Sequence, residues 1–441
     1  MDTGNKIFIF EFISGGGFNK ENIPSSLFCE GFAMLNAITA DFSQLQFEVH
    51  TLLDERIAFF SKYLHIDDFL PVKKKDKYFV KFKQALSKCD SCLIIAPEFS
   101  NILYDLTRLA EKENKTILSV TSEGIELAGS KMNTYDLFRA EDIPTPKTYA
   151  LFSEAQNVKE RFLSISNKLG FPLIIKPNDG VSAESVYLIE NKKEVDDFFE
   201  QSKEYLDQKR EYLVQEYRPG RNLSASVILP LLTLDKKKAS RKSILLSINN
   251  QNLKFEDISV DSEYIGGATP ATGLKAISKN FLDHLNHLDL SSFQSYIGID
   301  FILNECNEIS FIEINPRLTT SYIGIRNALH ENPIHILLNP GEYGEKFFFS
   351  RQKWKHSQFS RVELVYKGDK DLMYIYEDLI PEILTEIPEF VTPPISFGKP
   401  DKNRNMRFSC FLATSCENKR ESRVRIAQIY DLLQKWRFYH L

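Results

Sequence analysis

Residues 311–317 read Phe-Ile-Glu-Ile-Asn-Pro-Arg, which puts a carboxylate, an amide and a guanidinium within reach of one another. In an extended strand successive side chains point to opposite faces, so Phe311, Glu313 and Asn315 are expected on one face and Ile312 and Ile314 on the other. Residues 296–305, "YIGIDFILNE", alternate in the same way, and the polar turn "NECNE" between the two runs marks an antiparallel hairpin. A loop from Glu305 to Glu308 would close Asn304 against Ile309. That register pairs Ile302 with Phe311, Asp300 with Glu313 and Gly298 with Asn315. Like charges directly opposed across strands destabilise a sheet, so Asp300 and Glu313 need a counter-charge. A divalent cation is one: hard oxygen ligands from Asp300, Glu313 and Asn315 suit Mg²⁺, which keeps several waters and is usually completed by substrate phosphates. A solvated edge hairpin would show the same pattern, and these two strands alone do not separate the two.

Cations that suit phosphate lie elsewhere in the chain. Lys176 ends the β-branched run "FPLIIKP" and is followed by the loop "NDGVSAES", in which Gly180 and Ser182 let backbone N–H groups close over an anion. Lys131 follows Gly129 and Ser130 at an expected helix start, a position that favours negative charge. Arg317, two residues past Asn315, carries a planar fork that can brace a phosphoryl group or an oxyanion, or make a salt bridge at the strand end. In "YLVQEYRPG", residues Val214, Gln215, Glu216 and Tyr217 fall where one lobe would pass to the next, and such a hinge can offer backbone groups to an adenine edge.

These pieces need elements to hold them. "KIFIFEF", "FEVHTLL", "CLIIAP" and "TILSV" alternate with helical patterns at about 25–42, 80–87 and 103–113, which predicts an open parallel, Rossmann-like sheet over residues 1–123. Residues 124–339 form a second unit, in which a helix–strand lobe at about 145–213 precedes a strand-rich, antiparallel lobe at about 214–339. The segment 340–441 is expected to be a small accessory lobe closed by a helix from about Arg423 to Trp436. The fold class is therefore α/β and α+β. With 441 residues, 43% apolar and 26% charged, the chain can build several cores. A net charge of −5 argues against a nucleic-acid binder. Six scattered cysteines, with Cys89 and Cys92 the one close pair, do not make a zinc site. Without a signal-peptide pattern or a membrane-length apolar run, a cytoplasmic location and no membrane partner are expected.

"GSK", "FPLIIKP" with its loop, "VQEYRPG", "GIDFIL" and "IEINPR", in this order over roughly 190 residues, resemble the ATP-grasp superfamily. The resemblance implies ATP held between two lobes, Lys131 and Lys176 on its phosphates, residues 214–217 near adenine, and Asp300, Glu313 and Asn315 on Mg²⁺, with two ions expected and Mn²⁺ as the alternative metal. "LFCEGFAMLNAITADF", "YIGGATPA" and "EINPRLTTSYIGIRNAL" more closely resemble ATP-grasp proteins related to tyramine–glutamate ligase of methanofuran-type cofactor biosynthesis. That likeness implies a ligase joining a small carboxylate, such as glutamate, to tyramine, tyrosine or a similar amine through an acyl phosphate, with Arg317 catalytic. Two positions depart from the superfamily pattern. Asn222 stands where an acidic partner for ribose is usual, and the phosphate loop reads Gly-Val-Ser-Ala where a further glycine is common. The alternatives are a bicarbonate-activating, carboxylase-like enzyme and a nucleotide-binding regulator without turnover; a homo-oligomer is open.

Overall fold

The computed structural model describes residues 5–152, 157–180, 185–206, 210–232, 243–254, 262–343, 354–398 and 405–441. The first sheet is built from β1 (Lys6–Glu11), β2 (Glu48–Asp54), β3 (Asp68–Val72), β4 (Ser91–Ile95) and β5 (Thr116–Ile117), all parallel, in the order β3-β2-β1-β4-β5. Ile7, Phe8, Ile9 and Phe10 of β1 are wholly buried, as a central parallel strand covered on both faces must be. Strand β3 escapes the sequence reading because its Asp68 and Pro71 interrupt any apolar run, and Pro is tolerated at the sheet edge that β3 occupies.

Helix α1 (Ser25–Gln44) is buried around nearly its whole circumference, which explains its apolar, small-residue sequence. One side packs on β1 and β2, and the other meets the C-terminal segment, where Thr392 Oγ1 donates to Cys29 O at 2.6 Å and Asn36 Nδ2 donates to Val391 O at 2.8 Å. Helices α2 (Tyr78–Leu86), α3 (Ile102–Lys112), α4 (Ser122–Ala128) and α5 (Lys131–Ala140) lead to the second unit.

A four-stranded antiparallel sheet follows: β6 (Thr148–Phe152), β7 (Leu173–Pro177), β8 (Tyr187–Ile189) and β9 (Glu211–Glu216), in the order β6-β9-β7-β8. Helices α6 (Val158–Leu169) and α7 (Glu194–Tyr205) belong to this lobe, and Phe162, Ile165, Leu173, Ile175 and Val214 form its separate core. A nine-stranded sheet contains β10 (Arg221–Leu229), β11 (Ile244–Lys254), β12 (Glu263–Thr269), β13 (Ser295–Leu303) and β14 (Ile309–Asn315), with α8 (Leu274–Leu285) and α9 (Ser321–Ala328) joined to it.

The same sheet runs on into the C-terminal segment. β15 (Ser357–Tyr366) pairs with β12, and β16 (Phe390–Ile395), β17 (Met406–Ala413) and β18 (Phe438–His440) extend the array. The closing helix spans Lys419–Leu433, four residues earlier than its apolar pattern implied, because Asn418 caps it by accepting from Glu421 N. Among the described residues no helix is long and apolar enough to cross a membrane.

Candidate functional site

The β13–β14 hairpin pairs Gly298 with Asn315 and Asp300 with Glu313, as expected, and then slips. Beyond Asp300 the next pair is Phe301 with Phe311, so Ile312 is an extra residue in a β-bulge. Two expectations change with it. Ile302 faces Ser310 instead of Phe311, and Leu303, not Asn304, pairs with Ile309. The bulge also exchanges the two side chains. Phe311 turns into the core, stacked on Phe281 at 5.4 Å and tilted against Phe138 of α5 at 5.5 Å, while Ile312 joins Glu313 in lining a cavity. Gly298 is required in this register: a Cβ there would come to 2.7 Å from Thr319 Cγ2.

That cavity, of about 260 Å³, gathers residues from all three sheets. Lys131 Nζ donates to Gly180 O at 2.6 Å and forms an ion pair with Glu313 Oε2 at 3.0 Å. The first turn of α5 is docked on the loop after β7. Lys131 N donates to Asn178 O at 2.9 Å, and Asn178 Oδ1 accepts from Ser130 Oγ and Met132 N. Lys176 Nζ donates to Gln215 Oε1 at 2.9 Å, and Gln215 Nε2 in turn donates to Thr148 Oγ1 at 2.8 Å. Opposite the lysines, Asp300 accepts from Gln251 Nε2 at 2.9 Å and from Asn315 Nδ2 at 3.1 Å.

The charges perturb one another. Burial, aided by Lys131, pushes the Lys176 ammonium down to about 8 against the pull of Glu313 and Asp300. Burial and then the neighbouring Glu313 raise Asp300 to about 7. Burial acts on Glu313 too, but Lys131 and Lys176 outweigh it and hold that carboxylate below its ordinary range. Two carboxylates and an amide oxygen facing one gap form a hard-oxygen set that fits a divalent cation shared with phosphate. Among the described residues no cluster of three or more His, Cys, Asp or Glu side chains offers a metal site made by protein alone.

Arg317 makes the salt bridge that its position allowed. Its Nε donates to Glu98 Oε1 at 2.9 Å and its Nη1 to Leu318 O at 3.2 Å, while the side chain lines the cavity. Glu98, after β4, was not visible as its partner because 219 residues separate them. Of the expected adenine stretch, Gln215, Glu216 and Tyr217 line the cavity, whereas Val214 packs in the core of the four-stranded sheet. The Glu216 and Tyr217 N–H groups are already directed at Lys147 O (2.9 Å) and Pro172 O (3.3 Å). Asn222 and Gly180 also line the cavity, and Ser182 lies outside the described residues. Gln251, Tyr264 and Ile312 are lining residues the sequence did not single out. Only the strand-like runs "INNQNLK" and "SEYIGG" could have pointed to the first two.

Known proteins share this fold. An ATP-grasp domain model matches residues 128–321, and a pre-ATP-grasp domain model matches residues 47–125. Tyramine–L-glutamate ligase of Methanocaldococcus jannaschii is 25% identical over 323 residues, 73% of this chain and 84% of that protein. The ligase of the same name from Methanocaldococcus fervens is 27% identical over 327 residues, 73% of this chain and 89% of that protein. In structure, the ADP complex of an N5-carboxyaminoimidazole ribonucleotide synthetase superposes with a TM-score of 0.63 at 11% identity, covering 98% of both chains, a likeness of fold. The order of the motifs, the three-sheet architecture and these matches agree: the chain belongs to the ATP-grasp superfamily of ligases.

Proposed function

We propose that the chain is an ATP-dependent carboxylate–amine ligase that works through an acyl phosphate. The observation that carries this reading is the opposition of Lys131 and Lys176 to the Asp300–Glu313 pair across one cavity, with Arg317 beside them. Phosphoryl transfer needs charge neutralisation and in-line positioning more than a covalent protein group, and this set supplies those without a nucleophile. Asp300, Glu313 and Asn315 would hold Mg²⁺, or Mn²⁺ in its place, as one or two ions. The metal would neutralise the phosphate oxygens between the two carboxylates.

In the first step a carboxylate oxygen of the acid bonds to the γ-phosphorus, the bond to the bridging oxygen breaks, and ADP departs. Lys176 and Lys131 balance the charge on the phosphates, and Lys176 is held in place by Gln215 and Thr148. In the second step the amine nitrogen attacks the acyl carbon, the carbon–oxygen bond to phosphate breaks, and the nitrogen gives up a proton. Arg317, fixed by Glu98 through Nε, has Nη2 without a hydrogen-bond partner among the described residues and available to the oxyanion that forms when the amine adds to the acyl carbon in the second step. The relatives named tyramine–L-glutamate ligase support glutamate as the acid and tyramine, tyrosine or a similar amine as the acceptor.

The test is incubation with ATP, Mg²⁺, glutamate labelled with heavy oxygen in its carboxylates, and tyramine or tyrosine, followed by mass spectrometry. Labelled phosphate and ADP in amounts equal to the amide are the expected products. AMP and pyrophosphate from any productive pair would sink the acyl-phosphate reaction. ADP release that needs bicarbonate and no amine would favour a carboxylase-like activity instead.

A further inference from the structure

The N-terminal domain adds a wall that phosphoryl transfer does not use. Glu11 ends β1, Glu30 lies in α1 and Glu98 follows β4; their exposures are 3% and 6% for the first two residues and 8% for the Glu98 side chain. Glu11 and Glu30 line the cavity of about 260 Å³, while Glu30 and Glu98 line a larger chamber of about 2040 Å³ that shares Leu27, Phe99 and Tyr264 with it. Arg361 and Glu363 of β15 face this chamber too, 3.5 Å apart, and Arg317 stands at its junction with the first. The chamber's lining carries six carboxylates, Glu30, Glu98 and Glu363 among them, against three guanidinium groups, Arg210, Arg361 and Arg407. The surplus is negative whichever way the pairs are drawn.

One feature of this wall points to a ligand. Glu98 Oε1 takes Arg317 Nε, but Glu98 Oε2 is buried with no hydrogen-bond partner among the described residues. A buried carboxylate oxygen left without a donor is costly, and native proteins keep such groups where something else completes them. Helix α1 is also cut back at Gly31, where a Cβ would come to 2.6 Å from the Glu11 carboxyl carbon. Glu11 is held in that notch by Ile13 N at 3.0 Å and Ser14 N at 2.7 Å.

A surplus of buried negative charge repels a carboxylate or a phosphate and suits a cation with several donors, which an ammonium is. The acid and the nucleotide therefore belong on the side of Lys131, Lys176 and Arg317. We propose that Glu98 and Glu30, backed by Glu11, seat the ammonium group of the amine substrate, and that this substrate is a primary amine on an apolar, ring-sized body lying against Leu27 and Phe99. This inference rests on the ligase reading above, since it names the second substrate of the same site.

The test uses binding, so it needs no turnover. Calorimetry on the ADP-saturated protein would compare tyramine with tyrosol, the same phenol carrying a hydroxyl in place of the ammonium. The wild type is expected to prefer tyramine by at least about tenfold. Glu98→Gln and Glu30→Gln should each reduce that preference, and the double variant should erase it. No preference in the wild type, or a preference that survives in the double variant, overturns the proposal. Should Glu98→Gln unfold because Arg317 loses its partner, Glu30→Gln alone carries the test: the tyramine preference is expected to fall, and an unchanged preference overturns the proposal. A hydroxamate assay on the wild type with ATP, glutamate and hydroxylamine separates this inference from the ligase reading. Hydroxamate without a tyramine preference removes the amine seat alone, and a tyramine preference without hydroxamate removes the ligase reading alone.

Discussion

Lys131 and Lys176 hold different partners before any nucleotide arrives, and that difference predicts their behaviour. Lys131 is engaged with Glu313 and Gly180 O, whereas Lys176 is held by the neutral Gln215. Loss of either charge-assisted phosphate contact, in Lys131→Ala or Lys176→Ala, should weaken ATP binding by about 1.5–3 kcal/mol, roughly ten- to a hundred-fold. Unchanged affinity in both variants, measured by calorimetry, would remove the assignment. Lys176 adds a pH signature. Its ammonium is depressed to about 8, so above that pH the empty protein carries it increasingly neutral. A bound triphosphate favours the charged form, so binding at about pH 8.5 should take up a proton. Titration in two buffers of different ionisation enthalpy would reveal that uptake, and Lys176→Met should lack it. The carboxylates separate in the same way. Both Asp300→Asn and Glu313→Gln should abolish Mg²⁺-dependent turnover. Asp300→Asn relieves a like-charge pair and should stabilise the metal-free protein by up to about 1 kcal/mol. Glu313→Gln strips Lys131 of its ion pair and should cost about 1–3 kcal/mol in denaturant unfolding.

At the scale of the hairpin, a one-residue bulge decides which isoleucine serves the ligand and which serves the core. Ile314 is 2% exposed and packs inward; Ile312, two residues away, lines the cavity. Ile314→Ala should therefore destabilise the protein by about 2–5 kcal/mol. Ile312→Ala should cost less than about 1 kcal/mol and yet raise the ATP dissociation constant several-fold. Equal stability losses in the two variants would mean that the bulge is misplaced. The expected pairing of Asp300 with Glu313 holds because the hairpin loop is one residue longer than the sequence implied, with Leu303 on Ile309, and this offsets the extra residue of the bulge. Alternation could not foresee the bulge, because Phe311 and Ile312 are both apolar and either suits the core face. The lysines were legible for a local reason, each standing beside the glycine-bearing turn that frames it. Glu98, Glu30 and Glu11 were not: they reach the cavity only after the N-terminal sheet docks, and in sequence Glu11 appears merely as a polar break in an apolar strand.

Across the whole molecule, the C-terminal segment changes meaning once its sheet pairing is known. A change in sequence pattern near residue 340 reads as the start of a small lobe, but β15 lies directly beside β12 and carries the nine-stranded sheet onward. Phe359, Ile395, Phe411 and Ala413 from this segment belong to the same hydrophobic core as β1 and α1. Phe359 also meets Gly324 and Gly267 so closely that a Cβ at either would fall within 2.4 Å and 2.8 Å of its ring. A chain ending at residue 339 would uncover the long apolar side of α1 and leave β12 as an open edge, a template for pairing with other chains. Such a truncated protein is expected to aggregate or to lose cooperative unfolding, while the full chain melts in a transition that N-terminal and C-terminal probes report together. Size-exclusion chromatography and calorimetry on the truncated chain would decide. A monomeric, cooperatively folded product that still binds ATP would show that the segment is a detachable lobe after all. Aggregation would mean that Arg361 and Glu363 are held at the amine chamber by the same sheet that carries Asp300 and Glu313, so the two halves of the site stand or fall as one folding unit.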